Sequence, residues 1–154
     1  MNSELIKNFL DACFTAKKMG SLMPPLPKDL RKPRLINIID TVHTLSKQKK
    51  YIKISDISKS LKITAPSVTK LINELEQKNI LQKHQQTDDK RVITVTLTTL
   101  GEKYYDIYIN KYHQWLCTLF NDFVDEDILT TIRTINKAYK VMQNNRLNIN
   151  DLLQ

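Results

Sequence analysis

The segment ISDISKSLKITAPSVTKLINELEQKN, Ile54 to Asn79, constrains the fold of this chain more than any other stretch. Ile54, Ile57 and Leu61 recur at the spacing of one helical face, and Val68, Leu71, Ile72 and Leu75 define a second. Ser55 is placed to cap the first helix and Thr64 the second. Pro66 fits because it falls in the first turn, where its missing donor would have had no helical partner. Only Lys62 and Ile63 remain to join the two helices, so they must turn sharply against each other. Asn79, at the far end, can take the left-handed conformation that usually calls for glycine.

Beyond Asn79 the period changes. Ile80 and Leu81 open an extended segment, and QQTDDKR is polar enough for a turn. Val92 to Thr98 then alternates, with Ile93, Val95 and Leu97 on one side and Val92, Thr94, Thr96 and Thr98 on the other, which predicts a β-hairpin. Thr98 or Thr99 caps a long helix, with Glu102 at capping-box distance from Thr99. Along it Tyr105, Ile109, Tyr112, Leu116, Leu119 and Phe123 follow heptad spacing. Asp125 caps a last helix carrying Ile128, Ile132, Ile135, Tyr139 and Met142, and a polar tail ends the chain. Upstream, residues 4 to 19 read as an amphipathic helix ended by Gly20, and Leu35 to Leu45 as another. Between them Leu22 to Pro33 holds four of the five prolines and is predicted to be an irregular connector.

Helix, tight turn, helix and hairpin make a winged helix-turn-helix. Burying Val68, Leu71, Ile72 and Leu75 turns Ser67, Thr69, Lys70 and Asn73 outward, short polar groups and a cation suited to base edges and phosphates. Lys59, Lys62, Lys78 and Lys83 would add sequence-independent attraction. Residues 1–48 carry a net charge of +4, residues 49–91 +5 and residues 92–154 −1, so the total of +8 is concentrated in the first two thirds. In the hairpin turn Arg91 is the group that a narrow minor groove attracts, with Asp89 bracing it through hydrogen bonds and Lys90 beside it for a phosphate. Asp88 reads as an ordinary turn residue.

Residues 52 to 101 resemble the MarR-type winged-helix transcriptional regulators, whose hairpin reads Asp-x-Arg, a short β run, then Leu-Thr-x-x-Gly. Those positions are Asp89, Arg91, Leu97, Thr98 and Gly101 here. Lys62 stands where such turns often have glycine, Ser58 where alanine is usual, and Asn79 in place of the glycine after the recognition helix. The resemblance implies a mainly α fold with a β wing, a single domain over 1–154. About 52–98 would form the DNA-binding lobe, and about 1–48 and 98–154 the dimerisation helices plus connector.

It also implies a homodimer on a pseudo-palindromic operator in double-stranded DNA, acting as a repressor or activator; a cytoplasmic protein is the default expectation. Thr64, Ser67, Thr69, Lys70, Asn73, Lys90 and Arg91 would contact DNA. Phe9, Tyr112, Leu116, Leu119, Ile132, Ile135 and Tyr139 would pair the subunits. The residues agree independently, because the terminal helices carry more apolar surface than one small chain can easily bury. Relatives of this type often respond to small phenolic or lipophilic effectors, for which Met23, Tyr108, Tyr112 and Trp115 are candidates. The same aromatics also fit a core or a dimer interface.

Other function classes find little support. No nucleophile or carboxylate pair has a recognisable catalytic neighbour, and two glycines leave little room for a phosphate loop, so an enzyme is not expected. A winged helix serving protein contacts alone is the alternative. His43, His84 and His113 share no metal-ligand spacing, and no cofactor is expected. Cys13 and Cys117 form no Cys-x-x-Cys pattern and read as buried thiols, with a redox switch as the alternative. The first residues lack the apolar core of a signal peptide, and no stretch is long enough to span a bilayer.

Overall fold

The computed structural model describes residues 2–85 and 92–148. The chain divides into two compact units, Met1–Asn110 and Lys111–Gln154.

The first unit opens with helix α1, Ser3–Met19, capped by Asn2, whose side chain accepts from the Leu5 amide at 2.8 Å. Gly20 keeps a right-handed backbone and continues into a 3-10 turn, Gly20–Leu22, so the chain leaves α1 one turn later than a glycine stop predicts. The connector is otherwise irregular, as its prolines require, apart from a second 3-10 turn over Lys28–Leu30. Leu30 is fully buried there and fastens the connector to the core. Pro33 is the first residue of helix α2, Pro33–Ser46, where proline's missing donor costs nothing.

Strand β1, Ile52–Lys53, leads directly into helix α3, Ile54–Leu61. The helix therefore starts earlier than Ser55 would allow as a cap. Asp56 caps it instead, accepting from the Lys53 amide at 3.0 Å and from the Lys49 ammonium at 2.7 Å. These two donors, the Lys49 hydrogen bond first, hold the Asp56 carboxyl below the usual aspartate range. Helix α4, Ala65–Gln77, starts only a few residues later with Thr64 as its cap, and Pro66 lies in its first turn.

Strands β2, Leu81–Gln85, and β3, Ile93–Leu97, complete an antiparallel sheet of order β1-β3-β2. Val95 faces Ile52 on one side and Lys83 on the other. Val95 is buried and Leu97 partly so, whereas Ile93 pairs with Gln85 at the turn end of the hairpin and stays exposed. Thr94 lies on the opposite face yet is also buried, flanked by Lys53 and His84 in register, and its hydroxyl donates to the His84 carbonyl at 3.4 Å. The core gathers Leu35, Ile38, Ile39 and Val42 from α2, Ile57 from α3, and Val68, Ile72 and Leu75 from α4 against this sheet. The architecture is the winged helix-turn-helix expected from the sequence.

Helix α5, Thr99–Tyr105, is capped by Thr98 and not by Thr99. Glu102 makes no capping box; it reaches His43 at 2.9 Å, and the His43 ring stacks on Tyr105 at 3.5 Å between centroids. In place of one unbroken heptad helix, a wider π segment occupies Asp106–Lys111. Within it Ile109 is buried and the Asn110 side chain donates to Asp106 at 3.0 Å.

The second unit holds α6, Tyr112–Leu119, and α7, Asp125–Asn144. Val124 takes the cap position, leaving Asp125, Glu126 and Asp127 in the first turn, where carboxylates oppose the positive end of the helix dipole. Neither α6 nor α7 buries a residue, nor does α1 in the first unit. Cys13 is half-buried and Cys117 exposed, so the expectation of two buried thiols is corrected: among the described residues α6, which carries Cys117, has no fully buried side chain. No helix among the described residues is long and apolar enough to cross a membrane.

Candidate nucleic-acid interface

The turn between α3 and α4 fixes the direction of α4, and it is built without glycine. Lys62 adopts the left-handed conformation at φ 54 and ψ 40. Ser58 compensates, its hydroxyl donating to the Ile63 carbonyl at 2.6 Å across the turn. Serine is small enough for the helix crossing and also supplies a hydrogen bond that alanine cannot.

Along α4, Val68, Ile72 and Leu75 are fully buried. At about 3.6 residues per turn, Ser67, Lys70 and Asn73 fall on the opposite side, and all three are exposed. Thr64 and Ser67 sit at the helix start with their hydroxyls 2.9 Å apart, and Thr64 accepts from the Ser67 amide at 3.4 Å. Thr69 is half-buried and its hydroxyl donates back to the Ala65 carbonyl at 3.0 Å. Ala65, Pro66, Thr69, Lys70, Asn73, Glu74, Gln77 and Lys78 together line one shallow, open groove.

Glu74 is the member of this surface that sequence reasoning missed. Its carboxylate accepts from the Lys32 ammonium at 2.8 Å, a contact between the connector and α4. That hydrogen bond, aided by the nearby charges of Lys78 and Lys70, holds the Glu74 carboxyl below the usual range. One carboxylate thus sits among three cations. Of the cations expected to add long-range attraction, Lys59 is exposed, Lys62 and Lys78 belong to the turns at either end of α4, and Lys83 is matched to Glu76 at 2.6 Å.

The far end of α4 is joined to α5 by a compact knot. Asn79 is left-handed at φ 57, as its side chain permits. The Thr98 hydroxyl lies 2.7 Å from the Asn79 carbonyl and 3.1 Å from that of Ile80, and it accepts from the Gly101 amide at 3.1 Å. Gly101 packs directly on Ile80, where an added Cβ would meet the carbonyl oxygen at 2.3 Å.

Asp88, Asp89, Lys90 and Arg91 lie outside the described residues. The stem of the hairpin is described, and there His84 and Thr96 are hydrogen-bonded at 2.8 Å. Among the effector candidates, Met23 and Tyr108 belong to the first unit, with Tyr108 edge-on to Tyr104. Burial, then the charge of Asp29, pushes the Tyr104 hydroxyl up. Tyr112 and Trp115 belong to the second unit, their rings 5.8 Å apart. Of the candidate pairing residues, Leu119, Ile132, Ile135 and Tyr139 are exposed, and Phe9, Tyr112 and Leu116 half-buried.

Comparison with known proteins bears on the same segment. Residues 39–93 match the model of the MarR family. Among curated proteins the chain is similar to the HTH-type transcriptional regulator YsmB of Bacillus subtilis strain 168, 23% identical over 90 residues, covering 58% of this chain and 62% of that protein. It is also similar to the HTH-type transcriptional repressor MdtR of the same organism, 35% identical over 51 residues, 33% of each chain. The match therefore spans less than two thirds of either relative. Among solved structures, Streptococcus pneumoniae FabT in complex with DNA superposes with a TM-score of 0.65 at 18% identity, over 93% of this chain and 99% of that one. At that identity the likeness concerns the fold.

Proposed function

We propose that the chain, whose residues 39–93 match the MarR family model, is a regulator of that family: a homodimer that binds double-stranded DNA in a sequence-specific manner. The observation that carries this reading is the division of α4. Val68, Ile72 and Leu75 are fully buried, while Ser67, Lys70 and Asn73 face outward on a surface ringed by cations. An exposed helix of this kind, held by a turn and a wing, is the geometry that enters a major groove. MdtR is a repressor, and repression is the sign proposed here. Pairing of two copies through α1, α6 and α7 would place two reading helices on a pseudo-palindromic operator. A small ligand or a change at Cys13 or Cys117 would act as the releasing signal.

The test is a binding measurement on duplexes selected from a random pool by the purified protein. Lys70→Ala is expected to weaken binding about tenfold or more and to relax base preference, since a good base contact contributes about 1–3 kcal/mol. Arg91→Ala is expected to weaken binding most at AT-rich flanks. Binding with no preference among duplexes, unchanged by either substitution, would sink the regulator reading and favour a protein-contact module.

A further inference from the structure

We propose that the basic end of the connector, Lys28 to Arg34, is a second DNA-contacting element that grips phosphates at the rim of the groove read by α4. This rests on the DNA-binding reading above and adds a contact surface to it.

The segment PKDLRKPR carries Lys28, Arg31, Lys32 and Arg34 against a single acid, Asp29. All four basic residues are exposed. No ion pair among the described residues involves Lys28, Arg31 or Arg34. Within that part of the chain their charge is not consumed by the fold.

Position is set by the one cation that is paired. Lys32 touches Glu74, which lines the same groove as Lys70 and Asn73 and lies four residues beyond Lys70. One helical turn is about 5.4 Å and a major groove about 12 Å wide. A segment seated one turn from Lys70 therefore reaches the groove's edge, where phosphates stand, and not its floor. Cations there position the protein without reading bases.

The segment is also held in shape. Leu30 is fully buried, its amide donates to Pro27 at 2.8 Å, and the Leu35 amide donates to Lys32 at 2.9 Å. Pro27 and Pro33 fix the backbone on either side. Little conformational freedom remains to be lost on binding, which favours a contact that contributes to affinity. Glu74 has a defined part in this arrangement. Alone it would repel the phosphate backbone; paired with Lys32 it is neutralised and pins the connector beside α4.

The experiment measures duplex affinity against salt concentration for the intact protein and its variants. For Lys28→Gln, Arg31→Gln and Arg34→Gln combined, the slope of log K against log salt is expected to fall by about 2.7, at about 0.9 per phosphate contact. Affinity should drop at least tenfold while the ratio between preferred and scrambled duplex stays unchanged. Lys32→Ala should weaken binding more than Arg31→Gln alone, because it uncovers the Glu74 charge, and Glu74→Gln should tighten binding to scrambled duplex. If the parent protein binds with sequence preference and the triple variant keeps its slope and affinity, the connector is not a DNA contact and the regulator reading survives. A parent protein that shows no preference overturns both. If the triple variant melts early, the single Arg31→Gln and Arg34→Gln variants decide, each expected to lose about 0.9 of slope.

Discussion

A methyl group on Gly101 would lie 2.3 Å from the Ile80 carbonyl oxygen and 3.0 Å from Leu97. Backbone on one side and a packed leucine on the other leave no flexible atom to give way. Gly101→Ala is therefore expected to cost about 1–3 kcal/mol, as overpacking does, seen as a lower urea midpoint with the slope unchanged. Because the displaced residues lie directly after α4, the same variant should also lower DNA affinity on the proposed reading. Lys62 offers the opposite case. Its left-handed backbone costs roughly 1–2 kcal/mol for a residue with a Cβ. Lys62→Gly relieves that strain but loosens the unfolded chain, so a net gain of roughly 0.5–1 kcal/mol is expected. DNA affinity should fall at the same time, with the loss of a cation beside α4. Stability and binding moving together would mean that Lys62 is purely structural.

Among the elements, α3 depends most on a single side chain. Asp56 supplies the acceptor for the Lys53 amide, and Asp56→Ala is expected to cost about 0.5–2 kcal/mol near neutral pH, the range for lost helix caps. The sign of its pH dependence is set by the direction of the shift. Its folded-state pKa is lowered, so the stabilisation is complete above the ordinary aspartate range and is lost as pH falls through the lower folded value. Denaturation of both proteins across that acidic range should show the difference shrinking towards zero. A difference that stays constant would show that Asp56 acts by packing instead. The caps also mark how far the sequence could be read. Helices with four or more apolar residues at regular spacing were legible, and Thr64 and Asn79 were legible because their side chains serve one local purpose. Ser55 and Asp125 each missed the cap by one or two residues, because the positions that take it, Lys53 and Val124, carry no short polar side chain to mark them, whereas of Thr98 and Thr99 the first is the cap. Strand β1 has two residues and so no period to detect. The Lys32–Glu74 pair spans 42 positions, and no local pattern encodes it.

At the scale of the whole molecule, the two units differ in how they are covered. Among the described residues the buried core lies within the first unit, at Leu30 and between Leu35 and Ile109. On α7, Ile128, Ile132, Ile135, Tyr139 and Met142 form one stripe at heptad spacing, with exposures from 38% to 65%. A helix with such a face is stable when the face is covered, and nothing among the described residues buries it. A second copy supplies an identical stripe, and the self-complementarity of a two-fold interface makes that the economical solution. Ile132→Lys puts a charge at the centre of the stripe. The variant is expected to run as a monomer at micromolar concentration in sedimentation, and the parent protein as a dimer. Operator affinity should then fall by about 10²–10⁴, because each half-site is bound without the effective concentration its twin provides. The first unit of the variant should keep its melting cooperativity, since Ile132 contributes nothing to that core. A variant that remains dimeric and binds DNA normally would place the pairing surface elsewhere. A variant that is monomeric yet binds the full operator undiminished would separate dimerisation from recognition altogether.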